Sequence, residues 1–497
     1  MYRPFVKLAF IPIRNSFKMK NRLSSIPQKY WAYLALLFWG VVCLILLNKS
    51  YYGIDEGAAQ ALLLTWSVVD GVVSSVVTLG FPDFRAVFLA PVGFLWTGNL
   101  LAAKIFTIFV MAVAAWAIHA WRRRSGETES ALLATGLLLI SPLVFSQIDT
   151  ISVAPYLLFT FALGAWSDLK YRESPQAFGG MYFAQMLLCL VSITLHPAGF
   201  AYPLALLWRW YKDKDPLNKK QQNYYYVGII FTVLLGMVLT MGWSHITWFS
   251  NPVKGLSAAL MGPGLGKEIA ANRWFSGFGI LVILCFVVWK QASKLWADFL
   301  GRILLLALAI GILTGDQTLG MLALTTILYW GMPLLLQKET EFKGGFWQQR
   351  GVVLVLFVII STTYMTIDKE HYKSMLAGQL TPTDSLIKAY VDNIGNSTND
   401  QQKQSPPDKP IRIASQWPAR TMLACRCDTL ALPPAAKDEQ ALFAMLQGVK
   451  YLIFDPRDPA NHSLSRNLAL MNDGKVDTVA LKRGGVIIEI KDSTITK

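Results

Sequence analysis

Residues 30–48 read YWAYLALLFWGVVCLILLN, an unbroken apolar run, and the acidic pair Asp55-Glu56 follows within one short connection. About 20 such residues are what a helix needs to cross the hydrocarbon core of a bilayer. Residues 1–29 ahead of the run carry Arg3, Lys7, Arg14, Lys18, Lys20, Arg22 and Lys29 and no acidic residue. They read as a basic cytoplasmic arm that lies on anionic lipid. The apolar run is too long for a signal peptide core, and no small-residue cleavage site follows it. Its far end then lies outside the cytoplasm. Asp55-Glu56 thus stands at a membrane exit, where an ionised pair is costly unless it meets water or a charged partner.

The rest of the chain extends the same pattern. Of its 497 residues, 54% are hydrophobic and only 15% charged, with a mean hydropathy of +0.39, whereas soluble domains carry about 25% charged residues. The formal net charge of +15 would suggest nucleic acid in a soluble protein. Here the basic residues cluster in short connections between apolar runs, the signature of a positive-inside bias, so nucleic acid is set aside as a partner. Candidate spans fall near 30–48, 98–120, 131–148, 150–167, 181–196, 197–211, 223–243, 274–292, 299–315, 318–337 and 350–367, about eleven by the length rule. With the N-terminus inside, the inner connections are Arg122-Arg123-Arg124, Lys170 with Arg172, Lys212 to Lys220, Lys290 with Lys294, and Lys338 to Arg350, and all are basic. The odd parity puts everything after about residue 368 on the outer side.

That tail differs in kind. A helix-compatible stretch, Ser385 to Tyr390, leads into a linker rich in Gln, Asn, Ser and Pro (396–410). Strand-like runs follow at Ile411–Ser415, Tyr451–Phe454, Thr478–Leu481 and Val486–Ile490, with a helical run from Glu439 to Gln447 between the first two. The expected fold is a polytopic α-helical membrane protein of about eleven spans with a small C-terminal α/β domain on the outer side. Its parts would be the arm 1–29, a transmembrane domain 30–367 with outer loop 49–97, a linker 368–410 and an extracytoplasmic domain 411–497.

Loop 49–97 holds the chemistry. Ala58 to Val69 has helical composition without spanning length and is expected along the lipid interface. Gly80-Phe81-Pro82-Asp83-Phe84-Arg85 breaks the chain before it re-enters the membrane. Irregular backbone at that depth is tolerated where it is buried in protein or lines a watery cavity. A carboxylate in such a cavity can take the proton of an acceptor hydroxyl, and cationic side chains can hold a departing phosphate. Lys49, Arg85, Lys104, Lys254, Lys267 and Arg273 are the candidate cations. Lys104, about one turn inside the second span, must either snorkel or pair. The plainer alternatives are an Asp-Glu helix cap and an Arg85 that positions the loop through Asp83.

Asp55-Glu56 in the first outer loop, the amphipathic stretch after it and Phe81-Pro82 before the returning helix resemble the GT-C superfamily of membrane glycosyltransferases. This superfamily includes the protein O-mannosyltransferases and the bacterial transferases that add aminoarabinose to lipid A. The stretch Ala424-Cys425-Arg426-Cys427-Asp428 to Leu432-Pro433, followed by Gly448 to Phe454, is similar to the outer domains of these enzymes, and Thr194 to Gly199 to their middle segment. The resemblance implies an integral protein of the bacterial inner membrane with a periplasmic C-terminal domain. It also implies transfer of a hexosyl or pentosyl group from a polyprenyl-phosphate-linked sugar to a lipid, glycan or protein acceptor. Asp55 and Glu56 are the candidate catalytic residues, Asp55 matching the catalytic carboxylate and Glu56 the second residue of the pair, in a more structural role. Asp83, Arg85, Lys104, His196 and Lys267 are the candidate substrate-binding residues. In two places the chain departs from the family pattern. Pro82-Asp83-Phe84-Arg85 stands where many members have paired prolines and leucine, and Asp316-Gln317-Thr318-Leu319 replaces an Arg-Tyr pair.

Cys43, Cys189 and Cys285 fall inside expected spans as packing residues. Cys425 and Cys427, one residue apart, are expected as two thiols, buried or occasionally oxidised, because such neighbours rarely meet disulfide geometry, and two ligands are too few for structural zinc. A single Asp-Glu pair without a second clear acidic motif leans against an obligatory divalent metal. Two rival classes are a transporter or flippase of a lipid-linked intermediate and a non-catalytic envelope assembly protein. A transporter would more often have paired halves with helices broken at the midplane. The polar residues of this chain gather at one face instead.

Overall fold

The computed structural model describes residues 28–47, 53–70, 84–126, 128–173, 178–212, 219–239, 293–314, 318–331, 380–392, 412–433, 436, 439–458, 461–469, 476–482 and 485–491. The first apolar run forms α1 (Gln28–Leu46), and loop 49–97 holds α2 (Glu56–Asp70) and α3 (Arg85–Leu95). The 25-residue α4 (Leu100–Arg124) is about 37 Å long at 1.5 Å per residue. Its N-terminus is capped by the Asn99 side chain, which accepts from the Ala102 amide at 3.1 Å. Arg122, Arg123 and Arg124 stand in its last turn, against the negative end of the helix dipole.

The expected span 131–148 is two helices, α5 (Thr128–Ile140) and α6 (Pro142–Asp149), bent by 55°. Pro142 supplies the break: it lacks an N–H and pushes Ser141 into extended backbone (φ −65°, ψ 130°). Past α6 the chain turns at Thr150-Ile151, where Ile151 takes a left-handed φ of 55°, and then enters α7 (Val153–Glu173). The bundle continues through α8 (Phe178–Leu195), a 3-10 turn at Pro197–Phe200, α9 (Ala201–Lys212), α10 (Lys219–Leu239), α11 (Phe299–Thr314) and α12 (Thr318–Thr326), which runs into a π turn at Ile327–Gly331. Among the described residues one helix, Leu100–Arg124, is long and apolar enough to cross a membrane, and the bent pair would make a second. The expected spans 274–292 and 350–367 lie outside the described residues.

The stretch expected along the lipid interface is instead a buried helix. In α2, Ala58, Ala59, Ala61, Leu62, Leu63 and Trp66 are all at most 7% exposed. Its alanines let neighbouring helices come close. On α3 the approach is at Gly93, where an added Cβ would lie 2.7 Å from the Thr65 Cβ.

The C-terminal part is a five-stranded sheet, order β2-β1-β3-β5-β4, from β1 (Arg412–Ser415), β2 (Thr429–Ala431), β3 (Val449–Phe454), β4 (Val476–Lys482) and β5 (Gly485–Ile490). β1 pairs in parallel with β2 and β3, while β5 is antiparallel to β3 and β4. Four of these strands overlap the four strand-like runs of the sequence, and the run at Glu439 becomes a helix, Glu439–Met445. Alternation along β3 feeds two cores. Leu452 and Phe454 join Leu442, Leu446, Leu464 and Leu468 on one face. Tyr451 and Ile453 join Leu386, Ala389 and Tyr390 of α13 (Pro382–Tyr390) on the other. A short helix between β1 and β2, α14 (Pro418–Cys425), connects the sheet to the helical body: Ala419, Met422 and Leu423 share a core with α2 and α3.

Candidate active site

Asp55 caps α2. Its Oδ1 accepts from the Ala58 amide at 2.5 Å, the N-cap geometry that satisfies an orphan donor of the first turn. Its Oδ2 takes a 2.8 Å bond from the Arg85 guanidinium. The Asp55 side chain is 38% exposed and that of Arg85 only 6%, so a held carboxylate opens to solvent on one side. The Asp55 backbone N–H donates to the Thr150 carbonyl at 3.2 Å, and Arg85 also donates to the Ile151 carbonyl at 2.7 Å. Loop 49–97 is thereby bound to the corner after α6.

The same corner holds Lys104. Its Nζ lies 2.8 Å from Asp149 Oδ1, with the two side chains 0% and 2% exposed. Lys104 therefore pairs inside the protein and does not snorkel outward. Three sequence candidates, Asp55, Arg85 and Lys104, thus meet three consecutive residues, Asp149, Thr150 and Ile151. Asp149 is not among the candidate residues of the sequence. Its signal was Lys104 itself, because a buried lysine requires a carboxylate.

Glu56 faces away from this corner. Its carboxylate accepts from the amides of Ala419 (2.5 Å) and Arg420 (3.3 Å), the first turn of α14. Burial pushes its pKa up from 4.5 to about 7, against the pull of the two amides and the Arg420 charge, and the neighbouring Asp55 adds to the rise. Arg420 in turn pairs with Asp384 of α13. At the other end of α14, Arg426 adopts a left-handed φ of 57° and sets its guanidinium 5.2 Å from the centre of the Trp66 ring of α2.

His196 caps the 3-10 turn Pro197–Phe200, its Nδ1 accepting from the Ala198 amide at 3.0 Å, and is 6% exposed. That is the backbone role of a helix-end histidine. Asp83 and Lys267 lie outside the described residues, as do Lys49, Lys254 and Arg273. Cys425 and Cys427 form a disulfide with each other, where thiols, only occasionally oxidised, were expected. The left-handed turn at Arg426 folds the chain back and brings the two Cα atoms to 5.2 Å, inside the usual disulfide range. Among the described residues no cluster of three or more His, Cys, Asp or Glu side chains could hold a metal ion.

In sequence, no protein-family model and no curated protein matches the chain. In structure it is similar to the Archaeoglobus fulgidus oligosaccharyltransferase, crystallised tethered to an acceptor peptide containing the NVT sequon (TM-score 0.53, 11% identity, 88% of this chain and 71% of that one). It is also similar to ArnT from Cupriavidus metallidurans in the apo state (TM-score 0.51, 12% identity, 93% of this chain and 98% of that one). Both neighbours are GT-C glycosyltransferases. Likeness at such low identity speaks for architecture, and the architecture of this chain is GT-C-like.

Proposed function

We propose that the protein is an integral-membrane glycosyltransferase that moves a hexosyl or pentosyl group from a polyprenyl-phosphate carrier to a lipid, glycan or protein acceptor. The observation that carries this reading is the Asp55 carboxylate, held by the Ala58 amide and Arg85 yet 38% exposed, in the first loop of a GT-C-like fold. Asp55 takes the proton from an acceptor hydroxyl as its oxygen attacks the anomeric carbon. The bond from that carbon to the phosphate oxygen breaks, and the electron pair leaves with the polyprenyl phosphate. Arg85 and Lys104 each spend charge on a carboxylate. Arg85 therefore orients the base, and holding of the phosphate falls first to Lys267, with Lys254 and Arg273 near it in sequence. Asp83 and His196 complete the proposed substrate-side set, His196 by shaping the turn at Pro197.

In this reading about eleven helices span the bacterial inner membrane. The basic arm stays cytoplasmic and the sheet domain faces the periplasm, in keeping with the basic inner connections. The test compares wild-type and Asp55→Asn membranes for transfer from a mixed pool of radiolabelled polyprenyl-phosphate sugars. Loss of a general base predicts a fall of about 10²–10⁴-fold with the protein still folded. Undiminished transfer by the variant would remove Asp55 from the mechanism. Transfer by neither preparation from any donor in the pool would count against the transferase itself.

A further inference from the structure

We infer that the sheet domain is a working part of the Asp55 site, docked there by a grip on both ends of α14, and that Glu56 is a positioning residue and not a second catalytic carboxylate. Four observations converge on α14. At its N-terminus two orphan amides, Ala419 and Arg420, donate to Glu56. At its C-terminus the Arg426 guanidinium lies over Trp66, which is 3% exposed. Between these points Ala419, Met422 and Leu423 are buried with Ala58, Leu62 and Trp66. On its other side α14 belongs to the sheet domain, through Arg420 to Asp384 and through the Ser415–Thr421 hydroxyl pair. The Cys425–Cys427 disulfide brackets Arg426 and fastens the residue that makes the second contact.

The consequence for Asp55 is geometric. Asp55 and Glu56 are consecutive, so a carboxylate fixed on α14 sets the direction in which its neighbour leaves the chain. The Asp55 backbone is already tied on its other side to Thr150. Releasing Glu56 removes the anchor on the α14 side and leaves Asp55 to Thr150, the Ala58 amide and Arg85. This role rests on Asp55 being the base, but the docking does not, and the experiment separates the two.

Hydrogen exchange is followed in the full-length protein in detergent for Glu56→Ala, Glu56→Gln and Arg426→Ala chains. Amides that make no bond to Glu56 report on docking: residues 58–66 of α2 and 421–427 around the end of α14. Residues 449–454 of β3 report on folding of the sheet domain. Glu56→Ala is expected to raise exchange about tenfold in both reporters, the loss of the acceptor that the two α14 amides share, with 449–454 unchanged. Glu56→Gln, which keeps an acceptor, recovers most of it. Exchange in 58–66 and 421–427 that stays at the wild-type level in Glu56→Ala overturns the proposal. If Glu56→Ala also releases 449–454, the Arg426→Ala chain decides, because it leaves Glu56 in place. It must raise exchange at 58–66, and a flat result overturns the docking. In the transfer assay Glu56→Ala lowers kcat and leaves the KM for donor near wild type, and Glu56→Gln restores turnover; a Glu56→Gln chain as inactive as Asp55→Asn would make Glu56 catalytic after all. A wild-type protein that transfers nothing would end the transferase reading and leave the exchange result standing.

Discussion

Lys104→Met tests the corner most directly, because the Lys104–Asp149 pair is sealed from solvent. Both side chains are at most 2% exposed and 2.8 Å apart. Removing the lysine takes the ion-pair cation from a buried carboxylate, a change that costs about 3–5 kcal/mol. The double variant Lys104→Met/Asp149→Leu removes both charges and keeps similar volume, and such replacements are often neutral or stabilising. Three chains are compared by thermal inactivation in detergent and by transfer assay. The single variant should be strongly destabilised and the double variant should return to near wild-type stability. If the pair is scaffolding, the double variant also regains transfer. If Lys104 or Asp149 touches substrate, it regains stability and stays inactive. A Lys104→Met chain within about 1 kcal/mol of wild type would refute the buried ion pair itself.

Two other outcomes follow from the packing and charge of the first loop. Gly93→Ala forces a Cβ to within 2.7 Å of the Thr65 Cβ, so it should destabilise the protein by about 1–3 kcal/mol and lower transfer by moving α3, with Arg85, away from α2; wild-type inactivation temperature in this variant would contradict the close helix contact. For Glu56, raised from 4.5 to about 7, the docked state binds more protons than the undocked one between those values. Docking is therefore tightest at the acid end, weakens by up to about 1.4 kcal/mol per pH unit and levels off above pH 7, about 3 kcal/mol in all; exchange at 58–66 should follow this course in wild type and be flat with pH in Glu56→Gln.

Legibility of the sequence varied with the range of the forces involved. Strands β3, β4 and β5 were marked by their β-branched and aromatic residues, because alternate residues of a strand meet opposite faces of the sheet. β2 is three residues long, and α14 is eight residues whose burial comes from contacts across the molecule; neither leaves a periodic pattern. Composition identified α2 as a helix too short to span, but an apolar face does not say whether lipid or protein covers it, and here protein does. At the site, Asp55, Arg85 and Lys104 could be named because each charge at a membrane exit needs a reason. Their partners could not, because Asp149 is 45 residues from Lys104 and Ala419 is 363 from Glu56. The Cys425–Cys427 bond depended on one backbone angle, at Arg426, that the spacing alone does not reveal.

That dependence on single backbone angles recurs at the corner itself. Ile151 is β-branched, fully buried and left-handed at φ 55°, a conformation that costs of order 1–3 kcal/mol and persists only where its surroundings over-determine it. What holds it is visible: its side chain is buried in the core that α2, α3 and α14 share, and its carbonyl is gripped by Arg85. Ile151→Gly keeps the backbone free to adopt this φ while losing buried side chain, so it should lower stability by roughly 2–5 kcal/mol and preserve the orientation of Arg85. Ile151→Pro locks φ near −65° and must swing the carbonyl away from Arg85. Among molecules that remain folded, Ile151→Pro should lose transfer far beyond Ile151→Gly, with a matching rise in exchange at 58–66. Equal transfer by the two folded chains would mean that the corner supports the bundle without orienting Asp55, and the base would then owe its position to the Ala58 amide and the docked sheet domain alone.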